Sequence, residues 1–364
     1  MNKTILLSKA SKNNVLLHNK AFVTSQSLLE TIMKKLKLAL CAAAFCFTNS
    51  ALAQQTSTTT SQATAGSYPN KPVTMIVAFP PGGGTDIVAR RVAQGLTAAW
   101  GQSVIVENKG GAGGTIGTAL AARAEPNGYT IMLATLGNMA INPHLYKMDI
   151  DPSKDLAAIT NVVGVTFVLV AHPSLPANSV QELLALAKQK PGKLNYSSSG
   201  MGGAPHLAIE LLASMTGTQF THVPYKGSGP SFTDLVGGQV DFTMDSLVQA
   251  LPHIQSGRLK VLAVLGAKRS PVLPNVPTVA ESGVPGYDFT NWFGFVAPAQ
   301  TPQAVIAKLH TDIAAVLAQP EMRGQLEKMG AEVIASTPAQ FTEQIASDTQ
   351  KWAKIVKERN IKAD

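Results

Sequence analysis

The sequence is almost free of cysteine, with only Cys41 and Cys46 in 364 residues. Both lie in the apolar segment 38–47, which we interpret as part of an export signal that is removed from the mature chain. The mature chain would then contain no cysteine. This excludes disulfide bonds, a thiolate nucleophile and cysteine-ligated metal sites.

Positive charge is scarce outside the first 53 residues. The formal net charge is +8, but residues 1–53 hold seven of the 30 lysines and arginines and only one of the 22 acidic residues. The rest of the chain therefore carries 23 basic and 21 acidic residues. No basic stripe with interleaved aromatic residues remains to follow a phosphate backbone, so we do not expect nucleic-acid binding.

No apolar run is long enough to span a bilayer, which takes about 20 residues. The run Leu38–Phe47 follows the basic segment Met33–Lys37 and precedes the small-x-small site Ala51–Ala53. This order predicts a signal peptide over residues 1–53, cleaved near Ala53, and therefore an exported protein. We expect Met33 to be the true start, with a long leader as the alternative. Residues 54–67 are rich in Ser and Thr, and we expect a disordered tether.

From Tyr68 onward, short apolar runs alternate with amphipathic helices. Val73–Phe79 is typical of a buried strand, and Ile87–Trp100 of a helix with one apolar face. This order predicts α/β architecture, with a parallel, doubly wound sheet in the first unit and a second α/β unit after it. Because open sheets bind ligands outside the carboxyl ends of their strands, we expect a site between two lobes.

Two loops carry the strongest functional signal, because each links a predicted strand to a predicted helix. The first has the sequence FPPGGGTD over residues 79–86, and the second has NYSSSGMGGAPH over residues 195–206. Glycines let the backbone approach a ligand closely, and amides at a helix N-terminus attract anions. The pair predicts a carboxylate held from both sides by neutral N–H and hydroxyl donors.

Other polar residues also follow predicted strands, among them Thr135, Asn138, Tyr225 and Asp245, and we expect them to line the cleft. The common catalytic and cofactor motifs are missing. The sequence has no phosphate loop, no G-x-S-x-G nucleophile elbow and no zinc-ligand spacing of histidines. We therefore expect neither an enzyme nor a metal or cofactor. His206 fits a helix-cap position beside the ligand and a core or surface position equally well.

At these residues the sequence resembles the Bug family, the TctC-type periplasmic solute-binding proteins of tripartite tricarboxylate transporters. The resemblance runs from Tyr68 to the C-terminus. The matching stretches are YPNKPVTMIVAFPPGGGTDIVAR, VENKGGAGGTIG, LNYSSSGMGGAPHLAIELL, HVPYKGSGP, LVGGQVDF, RLKVLAVLGAKRSPVLPNVPTVAESGVPGY and WFGFVAPAQTP.

The resemblance implies a two-lobed Venus flytrap fold of the periplasmic-binding-protein kind, each lobe a mixed or mostly parallel sheet flanked by helices. Residues 68–165 and 290–364 would form lobe 1, and residues 166–289 lobe 2. Carried over by motif, the ligand-binding positions would be Phe79, Gly82, Gly83, Gly84, Thr85, Asp86, Thr135, Asn138, Ser197, Ser198, Ser199, Gly200, Gly203, His206, Tyr225, Gly227 and Asp245.

The resemblance also implies a function. The protein would capture a small carboxylate (a dicarboxylate, amino acid or aromatic acid) as a monomer and deliver it to membrane transporter subunits. Met201 and Ala204 occupy positions that vary in the family, so the sequence leaves the ligand unassigned. An exported α/β enzyme acting on a carboxylate, and a solute sensor for a membrane signalling partner, are the alternatives.

Overall fold

The computed structural model describes residues 68–358 and 361–362. The predicted signal peptide at 1–53 and the predicted tether at 54–67 lie outside the described residues. Among the residues described, no helix combines the length and the apolarity needed to cross a membrane.

Strands and helices alternate along most of the described chain. The strands are β1 (Val73–Val77), β2 (Val104–Asn108), β3 (Thr130–Thr135), β4 (Leu156–Val165), β5 (Phe167–Ala171), β6 (Asn195–Ser198), β7 (Thr221–Pro224), β8 (Phe242–Ser246), β9 (Lys260–Val264), β10 (Asn291–Pro298) and β11 (Ala331–Val333). The α-helices are α1 (Gly84–Trp100), α2 (Thr115–Ala122), α3 (Pro152–Asp155), α4 (Val180–Gln189), α5 (Ala204–Thr216), α6 (Ser228–Val236), α7 (Leu247–Gln255), α8 (Gln303–Ala318), α9 (Pro320–Lys328) and α10 (Pro338–Glu358). Short helical turns span Ala112–Gly114, Gly137–Ile141 and Asn142–His144.

The strands form two sheets, and each sheet is the centre of one lobe. The first sheet has the order β11-β4-β10-β3-β1-β2, and the second has the order β7-β6-β8-β5-β9. The chain leaves the first sheet at Thr166, between β4 and β5, and returns to it with β10. Strand β10 then fills the centre of the first sheet, between β3 and β4.

Both sheets are mixed. Strand β1 runs parallel to β2 and β3, and β6 runs parallel to β7 and β8. Strand β10 is antiparallel to β3 and β4, β11 to β4, and β5 to β8 and β9. The predicted α/β class with mixed sheets is confirmed, and the three strands predicted in the first unit do run parallel, but β10 and β11 join the same sheet antiparallel to their neighbours. Two neighbouring parallel strands that follow each other in the chain need a crossover connection. Strand β10 instead reaches the first sheet after the chain has passed through the second lobe.

Apolar residues cover the second sheet on both faces. In β5, Phe167, Leu169 and Ala171 belong to one buried cluster, and Val168 and Val170 belong to another. Successive side chains of a strand point to opposite faces, so this run of five apolar residues fits a strand packed on both sides. Strand β5 lies between β8 and β9 in the second sheet.

Helix α1 shows how the sequence places the first loop. Its residues Val88, Val92 and Leu96 are fully buried, and it ends at Gly101, whose left-handed φ of 63° suits glycine. The helix begins at Gly84, three residues before the predicted start at Ile87, and α6 begins at Ser228. Both helices begin in glycine-rich segments, where no side-chain cap marks the first turn.

Candidate functional site

A cavity of about 30 Å³, here called the inner cavity, lies between the two lobes. It is lined from the first lobe by Phe79, Gly83, Gly84, Thr85, Thr135, Asn291 and Phe293, and from the second by Phe167, Ser199, Ala204, Pro205, Ser228, Asp245 and Ser246. Strands β1, β3, β6 and β8 contribute at or just after their carboxyl ends, and the antiparallel β10 contributes its first residues. The cavity therefore lies where open α/β sheets bind ligands.

Four helices begin at the inner cavity. Helix α1 comes from the first lobe, and α5, α6 and α7 come from the second; their N-cap residues are Gly83, Gly203, Gly227 and Ser246. None of these helices has a side-chain hydrogen bond at its N-cap, whereas α4, away from the cavity, is capped by Ser179. First-turn amides lack partners within the helix, and each helix start carries about half a positive charge. The inner cavity is therefore suited to an anion.

Two buried side-chain donors near the cavity have no partner among the described residues. One is the Ser246 hydroxyl, on a residue only 2% exposed that lines the cavity. The other is Nδ2 of Asn138, whose Oδ1 accepts hydrogen bonds from the Thr135 amide (3.2 Å) and hydroxyl (2.8 Å). Buried polar groups are nearly always hydrogen-bonded, so these donors indicate positions that a ligand or water completes.

Asp245 is the charged residue of the inner cavity. Its Oδ2 accepts a hydrogen bond from the Ser228 hydroxyl at 2.6 Å, and its Oδ1 accepts one from the Ser246 amide at 2.7 Å. Burial raises the pKa of this carboxyl to about 6, although both hydrogen bonds act in the opposite direction. The Asp245 carboxyl therefore changes between its neutral and its negatively charged form near pH 6, inside a cavity that otherwise favours anions.

The first loop is held by Asp86, which does not line the inner cavity. Its carboxylate accepts hydrogen bonds from the Gly82 amide (3.0 Å), Arg90 Nε (3.0 Å) and Asn108 Nδ2 (2.9 Å). Burial raises the pKa of Asp86, but these donors outweigh burial and hold the pKa below its usual value. Of the predicted first-loop residues, Phe79, Gly83, Gly84 and Thr85 line the cavity, while Gly82 and Asp86 form the turn behind them.

The second loop brings only Ser199 of its three serines to the inner cavity. The Ser197 hydroxyl accepts a hydrogen bond from Ser231 at 2.8 Å, and the Ser198 hydroxyl lies 2.6 Å from His222 Nε2. The Ser198 hydroxyl also accepts a hydrogen bond from the Gly200 amide at 3.1 Å. Ser197 and Ser198 therefore hold the loop against the rest of the second lobe, and Ser199 faces the cleft.

His206 lies behind the second loop, where its ring stacks on that of His222 at 4.4 Å between centroids. Its Nδ1 accepts a hydrogen bond from the Gly202 amide at 3.2 Å. Burial lowers the pKa of His206 to about 4, and burial together with His206 lowers the pKa of His222 to about 3. Both rings are therefore neutral near pH 7 and support the loop without adding positive charge.

A second cavity of about 340 Å³, here called the outer chamber, adjoins the inner cavity. It is lined by Phe79, Gly111, Ala112, Gly113, Gly114, Tyr146, Ser199, Gly200, Met201, Pro224, Tyr225 and Lys226. The predicted residues Gly200 and Tyr225 lie here, and not at the inner cavity. Gly203 and Gly227 are the N-caps of α5 and α6.

Seven residues of the inner cavity were not among the predicted site residues, namely Phe167, Ala204, Pro205, Ser228, Ser246, Asn291 and Phe293. Ser228 and Ser246 follow strands β7 and β8, so the rule that selected Asp245 could have found them. Asn291 and Phe293 belong to β10, more than 150 residues beyond Thr135 in the chain, and no local pattern distinguishes them from core residues. Among the described residues, no group of three or more His, Cys, Asp or Glu side chains is arranged to hold a metal ion.

Comparison with known proteins gives consistent matches along most of the chain. The family model of the tripartite tricarboxylate transporter family receptor matches residues 88–361. Protein BugT of Bordetella pertussis is 37% identical over 304 residues, which cover 82% of this chain and 92% of BugT. The structure of the periplasmic binding protein BugD is 38% identical with a TM-score of 0.78, and covers 81% of this chain and 99% of its own. An R. palustris protein solved with adipate is 37% identical with a TM-score of 0.79, and covers 81% of this chain and 99% of its own.

Proposed function

This chain belongs to the tripartite tricarboxylate transporter receptor family, and we propose that it captures a small carboxylate anion in the inner cavity without changing it chemically. The predicted membership of the Bug family and the predicted two-lobed binding-protein fold are confirmed. Members of this family and its solved relatives are binding proteins, which also confirms the prediction that the chain is not an enzyme.

One observation carries the carboxylate proposal. Four uncapped helix N-termini, from both lobes, surround one small cavity that also holds the unpartnered Ser246 hydroxyl. Neutral donors of this kind bind an anion reversibly, because they stabilise its charge without a buried cation. The relative from R. palustris was solved with adipate, a dicarboxylate, and this supports a carboxylate as the anion.

The predicted site residues divide into two groups in this proposal. Ligand contact would come from the cavity-lining members, which are Phe79, Gly83, Gly84, Thr85, Thr135, Ser199 and Asp245, together with Ser228 and Ser246. The second group would shape the loops or the helix starts, and it consists of Gly82, Asp86, Asn138, Ser197, Ser198, Gly203, His206 and Gly227. Gly200 and Tyr225 would act from the outer chamber.

The cellular setting follows from the family, whose members are periplasmic binding proteins of tripartite transporters. We propose a signal peptide cleaved near Ala53 and a monomer that delivers its ligand to the membrane subunits of such a transporter. We also propose lobes formed by residues 68–165 with 290–364 and by residues 166–289, because the two sheets draw their strands from these ranges.

A binding screen tests the proposed function. Thermal-shift and calorimetric measurements over mono- and dicarboxylates should find acids that raise the melting temperature and bind one to one, because a ligand specific for the folded state stabilises it by mass action. The acid should be recovered unchanged after prolonged incubation. Consumption of the acid would indicate an enzyme, and a panel in which no carboxylate binds would refute the proposal.

A further inference from the structure

Strands β2 and β7 occupy matching places in the two sheets. Each lies at one edge of its sheet and runs parallel to the strand that leads into a glycine-rich loop of the site, which is β1 in the first lobe and β6 in the second. One polar side chain of each edge strand reaches that loop, Asn108 from β2 and His222 from β7. Neither residue lines the inner cavity or the outer chamber, so any part they play in binding passes through the loops.

Asn108 joins the two ends of the first loop. Its Nδ2 donates to the Phe79 carbonyl and to Asp86 Oδ1, both at 2.9 Å, and its Oδ1 accepts a hydrogen bond from Arg90 Nη2 at 2.9 Å. Both N–H groups and the oxygen of this amide are thus hydrogen-bonded. Because Phe79 opens the loop and Asp86 lies in the first turn of α1, one planar side chain fixes the span between them.

His222 holds the second loop in a comparable way. Its Nε2 lies 2.6 Å from the Ser198 hydroxyl oxygen, which also accepts a hydrogen bond from the Gly200 amide at 3.1 Å. The His222 ring stacks on the rings of Tyr196 and His206, with centroid distances of 4.6 and 4.4 Å. These contacts restrict the ring, so that its Nε2 fixes the positions of Ser198 and Gly200.

The loop residues that line the inner cavity lie between these fixed points. Gly83–Thr85 lie within the span that Asn108 holds, and Ser199 lies within the span that His222 holds. Glycine-rich backbone has wide conformational freedom, and ordering it costs free energy. A loop whose ends are already fixed has lost this freedom before a ligand arrives, so more of the interaction energy appears as affinity. The two side chains can therefore influence affinity without contacting the ligand.

We propose that Asn108 and His222 are positioning residues, each of which holds one loop in the form that directs its N–H and hydroxyl groups into the inner cavity. The inference rests on the proposed carboxylate binding and adds two residues outside the cavity on which affinity depends. It assigns the same arrangement to both lobes, in which an edge strand fixes the loop that follows its neighbouring strand.

Two substitutions test Asn108. Asn108→Leu removes all three hydrogen bonds at a similar volume, whereas Asn108→Asp keeps an oxygen that accepts from Arg90 and replaces the donor group with a second oxygen. With adipate and malate as probes in calorimetry, both variants should bind about five- to fiftyfold more weakly than the parent, as expected for the loss of two hydrogen bonds. If Asn108 serves only to pair with Arg90, Asn108→Asp binds like the parent, and this result overturns the assignment of Asn108.

At His222, a positioning role and a packing role predict opposite results. His222→Phe keeps a ring that can stack on Tyr196 but has no polar atom, and His222→Gln keeps an amide group near the position of Nε2 but has no ring. A positioning role predicts about two- to tenfold weaker binding for His222→Phe, and binding within about twofold of the parent for His222→Gln. Parent-like binding by His222→Phe with weakened binding by His222→Gln overturns the assignment of His222.

Two control variants lie at the far ends of the sheets. Asn127→Leu removes a 2.9 Å hydrogen bond to a backbone amide in the turn before β3, and His172→Phe removes a 2.7 Å histidine–serine hydrogen bond just after β5. Thr135 and Phe167, at the opposite ends of β3 and β5, line the inner cavity, so both controls should bind the probes like the parent. Losses in the controls equal to those in the Asn108 and His222 variants overturn the proposal.

Hydrogen exchange on the ligand-free proteins gives a readout that does not depend on the acid. Asn108→Leu should speed exchange in the first loop, where the Gly82 amide donates to Asp86 at 3.0 Å, and His222→Phe should speed exchange of the Gly200 amide in the second. The other loop of each variant should exchange at the parent rate. Unchanged exchange in the loop concerned overturns the proposal. If the loops respond as expected but the parent binds no carboxylate, the proposed function fails, while the hold of these two residues on the loops stands.

Discussion

At the scale of single residues, Asp245 sets the charge of an otherwise neutral site. Its carboxyl is buried, and its oxygens accept hydrogen bonds from Ser228 and Ser246. When it is ionised, it opposes the attraction that the helix N-termini exert on an anion. When it is protonated, it is neutral and can donate a hydrogen bond to a ligand oxygen. The pKa of about 6 places this change within reach of ordinary buffers.

We predict that anion binding strengthens as the pH falls from 8 to 5. An acid that stays ionised over this range should gain about tenfold or more in affinity, because a like charge is removed at close range. Asp245→Asn should bind with the same affinity across the range. Calorimetry at several pH values measures both. His206 and His222, with pKa values of about 4 and 3, remain neutral above pH 5 and do not produce the effect.

The same carboxyl also predicts how stability depends on pH. Its pKa is raised from 3.8 to about 6 on folding, so its ionised form is disfavoured in the folded state. Its contribution to the free energy of unfolding therefore falls as the pH rises from about 4 to 6, and is constant outside that window. Asp245→Asn should raise the free energy of unfolding at pH 8 by about 1–3 kcal/mol and change it little at pH 3.5. A lower stability at pH 8 would contradict this.

The sequence predicted the residues of this site unevenly, for a physical reason. The glycine- and serine-rich loops can be recognised from their local sequence, because few other sequences leave the start of a helix open to a ligand. Phe167, Asn291 and Phe293 lie in strands, and there a residue facing the cavity has the same pattern as one facing the core. Ser197 and Ser198 are as polar as Ser199, and only the positions of Ser231 and His222 decide which serine faces the cleft.

At the scale of elements, the start of α1 is one of the places where the two lobes meet closely. A Cβ added at Gly84 would lie 2.3 Å from the Ser246 hydroxyl of the other lobe, which is closer than real Cβ contacts allow. A Cβ at Gly83 would lie 3.6 Å from the nearest atom, Ser228 Cβ, which is an ordinary contact. Neighbouring glycines of one loop thus differ in their tolerance of a methyl group, which the sequence GGG could not show.

We predict that Gly84→Ala weakens ligand binding at least about tenfold, because the added methyl keeps α1 away from Ser246. Its melting temperature without ligand should stay close to the parent value or rise slightly, since alanine favours a helix over glycine. Gly324→Ala, in helix α9, is the control, because an added Cβ there meets nothing within 4 Å, and it should bind like the parent. Calorimetry and thermal unfolding on the three proteins measure these effects. Parent-like binding by Gly84→Ala would mean that this contact between the lobes is not part of the bound state.

At the scale of the whole molecule, the sequence predicted two α/β units but not how the chain is shared between the sheets. β4, β10 and β11 were not predicted as strands, because their pairing depends on partners far away in the sequence. Strand β10 pairs with β3 and β4 after the chain has passed through the whole second lobe. The resemblance to the Bug family predicted that the chain returns to the first lobe. The hydrophobic periodicity of the sequence alone could not predict this.

The chain passes from the first sheet to the second at Thr166 and returns to the first with β10. Thr166 joins β4 directly to β5, and its amide donates to the Gly330 carbonyl at 3.0 Å. A hydrogen bond from the Tyr146 hydroxyl to the Met201 carbonyl bridges the lobes at the outer chamber. The crossing at Thr166 is covalent, whereas the Tyr146 bridge is a single hydrogen bond that any separation of these two residues would break. A ligand that contacts both lobes favours the closed state to the extent that it binds that state better.

We predict that a binding acid compacts the parent protein and that Tyr146→Phe weakens this response. Small-angle scattering should show a smaller radius of gyration when a saturating acid is added to the parent. Tyr146→Phe keeps the ring but loses the bridge, and a hydrogen bond contributes about 0.5–1.5 kcal/mol. The closed state should therefore be less populated, and affinity should fall about two- to tenfold, mainly through faster dissociation. Tyr129→Phe is a suitable control, because the Tyr129 hydroxyl bonds to Asn70 within the first lobe. If the parent does not compact, or if Tyr146→Phe binds and closes like the parent, the bridge plays no part in closure.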